Sequence, residues 1–266
     1  MNKFSIMEKY LRSQEDLGVP NDLILDTKFD FPAIKPQEKP KPEEKIPVKE
    51  NVGTTAPGRP QELAADQPPL PYSQQTESDK RDELAKLFYK CRACSACSLS
   101  KTRKNFVFGA GTAYTDIMAI GEAPGADEDE QGKPFVGAAG QLLTKMLAAI
   151  NLERDKIFIA NILKCRPPQN RKPNTAEIIS CFPLLKKQIE IIKPKAILLL
   201  GGTAANTILK NEKSVGSLRG IVHYYENIPA VVTYHPSALL RDASWKKPAW
   251  DDLQRFERLL KELKIA

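Results

Sequence analysis

The sequence lacks any apolar run long enough to form a transmembrane helix. Met1 is not followed by the basic region and apolar core of a signal peptide. From these two absences we expect a soluble protein of the cytoplasm without a membrane partner. No internal repeat is evident, which excludes a solenoid or other repeat array. The 266 residues can then form one large domain, or one medium domain with an appendage.

The first 80 residues contain no cysteine and few aromatic residues, but they hold 11 of the 21 prolines. A segment such as PQEKPKPEEKIP at 36–47 cannot bury enough apolar surface to offset the entropy lost on ordering. We therefore predict a disordered, Pro-rich acidic leader over residues 1–80 and a folded domain over residues 81–266.

One short stretch of the leader has apolar residues at roughly helical spacing. It admits two interpretations, a transient helix without a partner or a helix that docks on a replication or repair protein. The residues are Phe4, Ile6, Met7, Tyr10 and Leu11.

Charge is unevenly distributed along the chain. Of 40 Lys and Arg residues and 33 Asp and Glu residues, 11 and 14 fall in residues 1–80, which leaves 29 and 19 for residues 81–266. The leader is therefore net −3 and the remainder net +10. A compact domain with this excess attracts polyanions, of which nucleic acid is the commonest, although solubility also explains part of such a charge.

Apolar runs alternate with helical patterns after the leader. The runs that predict strands are 106–108, 117–120, 157–162, 196–200 and 230–233, and the helical patterns are 83–89, 140–150, 175–192, 203–210 and 250–263. Continuously apolar strands are typical of sheets that are buried on both faces, and the alternation predicts parallel strands joined by right-handed crossovers. The expected fold is α/β, a three-layer α/β/α sandwich around a four-stranded parallel sheet formed by the last four of these strands.

The run GEAPGADEDEQGKPFVGAAGQLL at 121–143 is the first candidate for a site. It follows the strand at 117–120 with a Gly/Pro-rich loop that contains Glu122 and Phe135, and a helical pattern comes next. Catalytic groups collect on loops at the carboxyl ends of parallel strands, so chemistry is expected here.

The five cysteines favour metal binding or free thiols over disulfides in a reducing compartment. Cys91, Cys94 and Cys97 are each separated by two residues, a spacing that lets neighbouring thiolates reach one metal centre. Cys165 and Cys181 follow singly, which suits the separated corners of a cubane cluster better than the two close pairs of a zinc site. Cys181 can also be a buried helix cysteine that acts as a small hydrophobic residue.

Four motifs, in register, resemble those of the family 4 uracil-DNA glycosylases, the iron–sulfur branch of the uracil-DNA glycosylase superfamily. The motifs are CSACSLSKTR with VFGAG, GEAPGADEDEQGKPFVGAAGQLL, IANILKCRPPQNRKP and YHPSALLR. The resemblance covers about residues 90–260, and nothing in residues 1–80 contributes to it. It implies a monofunctional uracil-DNA glycosylase, a hydrolase that flips uracil out of DNA and starts base excision repair.

The resemblance also implies a structural [4Fe-4S] cluster without a redox step in the reaction. Alignment on the Leu, Lys-Thr-Arg pattern at 99–103 leaves Cys91 as an extra cysteine. The cluster would tie the start of the domain to the loop and helix after the second core strand. The implied ligands are Cys94, Cys97, Cys165 and Cys181.

Residues at the implied active site fall into two groups. The catalytic group is Glu122, Asn170 and His235, and the base-binding group is Phe135, Asn161 and Ala123. Phe135 is the implied stacking platform, and the Asn161 amide matches the Watson–Crick edge of uracil but not that of cytosine. His235 would hold the anion that develops on uracil O2. Glu122 and Asn170 would position or activate water, and which of them dominates stays open.

Ala123 and Glu122 are near enough in sequence to shape the pocket edge that meets the methyl group of thymine. Glu128 and Asp129 are read as solvated loop carboxylates, and His223 as structural.

Groups for DNA contact are expected around the same motifs. Leu239 and Leu240 form an apolar pair suited to a wedge that fills the gap left by the flipped base. The candidates for phosphate contact are Arg241, Arg166, Arg171, Ser237 and the backbone amides around Gly125 and Gly137.

Other functional classes are weighed against this one. A non-catalytic DNA-binding module beside a polymerase or repair complex would use the same fold, and an iron–sulfur electron carrier would show facile cluster reduction without DNA affinity. A related branch that bonds covalently to DNA carries a histidine in a basic insertion, whereas the corresponding segment here, CRPPQNRKPNT, has none. We expect a monomer that acts on uracil-containing DNA.

Overall fold

The computed structural model describes residues 72–265, with side chains from Lys80 onward. Most of the predicted leader, including the helical spacing at 4–11, lies outside the described residues. The predicted domain boundary between residues 80 and 81 falls inside the first described helix, α1 (Tyr72–Cys91).

A six-stranded sheet forms the centre of the described fold. Its strands are β1 (Ala110–Gly111), β2 (Ile117–Gly121), β3 (Phe158–Asn161), β4 (Ala196–Leu200), β5 (Val222–Tyr225) and β6 (Ile228–Thr233). The strand order is β1-β3-β2-β4-β6-β5. The central four strands, β3, β2, β4 and β6, are parallel, and the two edge strands pair antiparallel to their neighbours.

Eight α-helices are described between residues 72 and 265. They are α1 (Tyr72–Cys91), α2 (Ala126–Gln131), α3 (Ala138–Ala148), α4 (Thr175–Ile192), α5 (Gly202–Ile208), α6 (Val215–Leu218), α7 (Pro236–Arg241) and α8 (Lys246–Glu262). Single 3₁₀ turns lie at Ser98–Lys101, Arg154–Lys156, Pro168–Asn170 and Ala243–Trp245. None of the helices in the described region is long and apolar enough to cross a membrane.

Two apolar layers cover the sheet because successive side chains of a strand point to opposite faces. Met118 and Ile120 of β2 belong to one layer, which also contains residues of α1, α4 and α5. Ile117 and Ala119 belong to the other, with residues of α3 and α8 such as Leu147 and Phe256. The predicted α/β sandwich around four parallel strands is therefore confirmed.

Two predictions about the strands were wrong. Residues 106–108 form no strand; the peptide N–H of Val107 donates to the carbonyl of Lys164 at 2.8 Å, while Phe106 and Phe108 pack against the core. The sheet also gains the edge strands β1 and β5, which the apolar runs do not reveal because β1 has only two residues and β5 is mostly half-exposed.

Candidate active site

Three candidate residues, Glu122, Asn161 and His235, lie at the carboxyl edge of the parallel sheet. Gly121 and Asn161 are register partners at the ends of β2 and β3. Glu122 follows β2 directly, and His235 comes two residues after β6. Parallel strands place their carboxyl ends on one edge, which is why segments far apart in sequence contribute to a single site.

Phe135 closes one side of this site. A Cβ on Gly121 would lie 2.5 Å from Cζ of Phe135 and 2.5 Å from Oδ1 of Asn161, so only glycine lets the ring and the amide approach the strand. The Phe135 ring centroid is 5.5 Å from that of His235, and the planes are tilted by 33°. The structure thus brings Phe135, Asn161 and His235 together.

The backbone of Phe135 is strained, with φ at +52°. A bulky residue in the left-handed region costs about 1–3 kcal/mol and persists only where its surroundings hold it. On one side, the Arg154 guanidinium donates to the carbonyl of Pro134 at 2.6 Å. On the other, Gly140 of α3 packs so closely that any Cβ would collide with the Phe135 carbonyl.

Glu128 supplies the third restraint on this loop. One carboxylate oxygen accepts from the peptide N–H groups of Val136 and Gly137, both at 2.9 Å, and the other accepts from that of Gly125 at 3.0 Å. A single side chain of α2 therefore fixes the segment that follows Phe135. The sequence carries no signal for this contact, because it depends on the loop folding back over the helix.

Two predictions in this loop were consequently wrong. Glu128 is only partly exposed, and its carboxylate is held by three amides rather than by water alone. Asp129 is 3% exposed and accepts from the peptide N–H groups of Lys104 and Asn105 at 3.0 and 3.2 Å. The amides of Gly125 and Gly137 were expected to meet phosphates, but the Glu128 carboxylate already occupies them.

Asn161 has a buried amide oxygen without a hydrogen-bond partner among the described residues. The residue is 2% exposed, and its backbone carbonyl accepts from Nζ of Lys164 at 2.9 Å. A buried polar atom left unpaired costs about 1–3 kcal/mol, and this oxygen has its full capacity to accept a hydrogen bond from a ligand.

Burial, helped by the charge of Arg241 and opposed by that of Glu128, lowers the pKa of His235 from 6.5 to about 4. This shift favours a neutral imidazole at neutral pH. The peptide N–H of Ser237 donates to Nδ1 at 3.2 Å, and the Ser237 hydroxyl lies 2.8 Å from the same atom. Nδ1 is therefore an acceptor, and the ring proton lies on Nε2. Ser237, expected at a phosphate, serves here to fix this tautomer.

Glu122 accepts a hydrogen bond from the hydroxyl of Thr203 at the start of α5. Because Thr203 follows the neighbouring strand β4, this contact holds the Glu122 carboxylate from that side. Thr203 was not predicted from sequence as a site residue. Its only signal was its place just after the strand at 196–200. Ala123, next to Glu122, is partly buried.

Asn170 lies on the exposed turn Pro168–Asn170, where its φ is +55°. Its amide oxygen accepts from Nε of Arg166 at 2.8 Å. Asn170 and Arg166, which were both predicted from sequence to act at the site, therefore form a hydrogen bond with each other.

Two of the predicted DNA contacts, Leu239 and Arg171, differ from the expectation. Leu239 is 3% exposed and packs in the core, whereas Leu240 is 52% exposed, so the exposed pair predicted from sequence is wrong for Leu239. The cause is the rotation of α7, which turns successive residues to different sides. Arg171 binds Glu177 through both terminal nitrogens, at 2.9 and 2.6 Å, which commits its guanidinium to the start of α4. Arg241 remains exposed.

The five cysteines are free thiols that gather between the end of α1, the 3₁₀ turn at Ser98–Lys101, the segment after β3 and helix α4. Electrostatic interaction links Cys181 to Cys165 and Cys97, and Cys165 to Cys97 and Cys94. Among the described residues, no group of three or more His, Cys, Asp or Glu side chains is arranged so that it could hold a metal ion.

Donors point at three of these sulfurs. Arg103 Nη1 lies 3.0 Å from Sγ of Cys165, and the peptide N–H groups of Ala96 and Lys164 lie 3.5 and 3.3 Å from those of Cys94 and Cys181. Burial raises the pKa of Cys181 to about 12 and that of Cys91 to about 11.

Lys164 connects the cysteine segment to Asn161. It is fully buried, and its ammonium donates to the Asn161 carbonyl and, at 2.7 Å, to Oε1 of Gln188. Burial lowers its pKa to about 8, against the attraction of Cys181 and Cys91.

Comparison with known proteins agrees with this geometry. Residues 108–254 match the model of the Uracil DNA glycosylase superfamily, and the chain belongs to that superfamily. It is 42% identical to the type-4 uracil-DNA glycosylase of Pyrobaculum aerophilum over 183 residues. The matched region covers 65% of this chain and 93% of the relative. It is also 42% identical to that of Sulfurisphaera tokodaii, over 67% of this chain and 85% of the relative. The type-5 enzyme of Pyrobaculum aerophilum is more distant, at 30% identity over 46% of this chain. Within the superfamily, the chain groups with the type-4 branch.

Proposed function

We propose that this protein is a uracil-DNA glycosylase that flips uracil out of DNA and hydrolyses its N-glycosidic bond. The observation that carries the proposal is the unpartnered amide oxygen of Asn161, which lies beside the Phe135 ring and the neutral imidazole of His235. The identities to type-4 enzymes over most of the described domain support the same activity.

Base recognition rests on Asn161 and Phe135. The Asn161 amide oxygen accepts from N3–H of uracil, and its amino group donates to O4. Cytosine presents an acceptor at N3 and a donor at C4, so a fixed amide leaves both unpaired. Phe135 stacks on the flipped base, and such stacking contributes about 1–3 kcal/mol.

Two groups act on the reacting bond. The bond between the sugar C1′ and uracil N1 breaks with its electron pair moving to the base. A water oxygen bonds to C1′, and the proton that the water loses neutralises the departing uracil anion. His235 stabilises the negative charge that develops on O2 by a hydrogen bond from Nε2–H and keeps its proton. Glu122 orients the water and offsets positive charge on the sugar, and Thr203 holds its carboxylate in place.

We further propose that the cysteines hold a [4Fe-4S] cluster. Support comes from the N–H donors that face three of the sulfurs, since hydrogen bonds to sulfur are a feature of iron–sulfur centres. Cys94, Cys97, Cys165 and Cys181 would hold it. When bound, the cluster supplies a structural crosslink between the end of α1 and the segment from β3 to α4. We also propose that the protein acts as a monomer in the cytoplasm, with the leader available to a replication or repair partner.

Strand cleavage of a uracil-containing oligonucleotide by alkali tests the activity. Purified full-length protein should convert a labelled strand with one uracil into alkali-labile product and leave matched strands with thymine or cytosine intact. Protein that carries iron and binds the oligonucleotide without generating abasic sites would refute the enzyme and favour a non-catalytic DNA-binding module.

Asn161→Asp tests the recognition step in the same assay. A carboxylate cannot donate to O4, so uracil excision should fall by roughly 10- to 100-fold, as expected for one lost hydrogen bond of about 1–3 kcal/mol, and discrimination against cytosine should relax. Unchanged selectivity would contradict the assignment of Asn161 to the base edge.

A further inference from the structure

An aromatic stack of Tyr234 and Trp245 lies on the surface next to His235. The Trp245 and Tyr234 rings are parallel within 20°, with centroids 4.9 Å apart. Arg219 lies over the Tyr234 ring at 5.7 Å, and its Nε donates to the buried carboxylate of Asp252 at 2.9 Å. The stack is thus anchored in the core through α8.

Trp245 remains available at the outer end of this stack. Its contact with Tyr234 covers one face of the indole, yet 39% of the residue is exposed. The 3₁₀ turn Ala243–Trp245 is held at its start by Asp242, whose carboxylate accepts from the peptide N–H of Ser244 at 2.9 Å. An aromatic ring ordered in advance loses little entropy when a flat partner stacks on it.

The surroundings of Trp245 favour a polyanion with flat apolar groups. Helix α7, which carries the exposed Leu240 and Arg241, packs against the turn, and Lys246 and Lys247 follow Trp245 directly and are exposed. The nearby carboxylate of Asp242 is engaged with Ser244. Aromatic platforms flanked by basic side chains bind single-stranded nucleic acid because bases stack while the cations contact the backbone.

We propose that Trp245 is a stacking platform for a nucleobase of the DNA strand that flanks the flipped nucleotide. The inference rests on the proposed function, because Tyr234 directly precedes His235 and the platform is useful only beside a flipped base. It adds a binding subsite outside the cleft: Leu240 lies at the gap, and Trp245 holds the neighbouring, unpaired part of the strand. The subsite favours a strand whose flanking bases are free to leave the duplex stack.

The test uses full-length wild type, Trp245→Ala, Trp245→Phe and the control Tyr114→Ala. Tyr114 is also an exposed aromatic residue, at 41%, but it lies before the amino end of β2, toward the opposite edge of the sheet. Binding of a uracil-containing single strand should weaken by roughly 5- to 150-fold in Trp245→Ala, the effect expected for one stacked base, with kcat within about twofold of wild type. Trp245→Phe should retain most of the affinity, and Tyr114→Ala should bind as wild type does.

Abasic spacers placed singly at each position around the uracil identify the stacked base. At one position the spacer should weaken binding by wild type and leave binding by Trp245→Ala unchanged, since the partner of that base is already missing. The subsite is overturned if the losses of affinity from the spacer and from Trp245→Ala simply add at every position, or if a folded Trp245→Ala variant binds with wild-type affinity. Neither result affects the proposed activity, provided that the wild type excises uracil. Coupling at one position in a wild-type protein that excises no uracil would support the subsite and refute the glycosylase.

Discussion

Replacement of Glu128 by Ala is expected to damage both stability and the base pocket. The change leaves the peptide N–H groups of Gly125, Val136 and Gly137 without their carboxylate acceptor. Hydrogen bonds to a charged group contribute about 1.5–3 kcal/mol each, but these amides are only partly buried and water can replace part of the loss. We therefore expect the free energy of unfolding to fall by about 3–5 kcal/mol.

The catalytic consequence passes through Phe135. Its positive φ is stable only while the following residues are held, so Glu128→Ala lets the ring leave the position next to Gly121 and His235. Weaker stacking on the flipped base should raise KM and lower kcat/KM for a uracil-containing oligonucleotide by roughly 10- to 100-fold, corresponding to about 1–3 kcal/mol of lost stacking. Urea unfolding and steady-state excision kinetics measure the two effects.

Glu130→Ala is the matched control on the same helix. Its side chain is 63% exposed and pairs only with Lys104 at the surface, so a loss within about 0.5 kcal/mol is expected. Glu128→Gln should be intermediate, because one oxygen can still accept from Val136 and Gly137 while the amide NH₂ faces the N–H of Gly125. If Glu128→Ala unfolds at the same urea concentration as Glu130→Ala and retains wild-type kcat/KM, the restraint assigned to Glu128 is refuted.

Two further predictions concern protonation and the cysteines. Because the pKa of His235 is lowered from 6.5 to about 4, the unfolded chain binds a proton between these pH values that the folded chain does not. The free energy of unfolding, measured by urea titration, should therefore fall by up to about 3 kcal/mol as the pH falls through this window. His235→Gln should remove this part of the pH dependence. An equal pH dependence in both proteins would contradict a neutral His235. Cys165→Ser should lower both bound iron and melting temperature, whereas Cys91→Ser should retain the iron; an iron-loaded, stable Cys165→Ser protein would show that the ligand set is wrong.

The parallel part of the sheet could be predicted from sequence because each of its strands is buried on both faces and reads as a continuous apolar run. Glu122, Asn161 and His235 could be placed together for a related reason, since each follows such a run and carboxyl ends share an edge. The edge strands β1 and β5 were not predicted because neither a two-residue strand nor a half-exposed strand contains a continuous apolar run. Residues 106–108 show the converse, an apolar run that packs without joining the sheet.

What the sequence could not give depends on loops that fold back and on helix rotation. The Glu128 carboxylate reaches amides eight and nine residues ahead, and no local pattern distinguishes it from a solvated acid. Which of Leu239 and Leu240 faces solvent is set by how α7 packs, since both are apolar and adjacent. Arg171 meets Glu177 because the turn before α4 brings positions six apart into contact, a spacing that no regular helix provides.

Lys164, whose ammonium is buried, links the cysteine region to the proposed base pocket. Its backbone N–H faces Cys181, while its side chain holds the carbonyl of Asn161. A displacement of the cysteine segment can therefore reach Asn161, the residue proposed to distinguish uracil from cytosine, through this one side chain. If Asn161 has that role, oxidative damage at the cysteines would affect the choice of base as well as the stability of the fold.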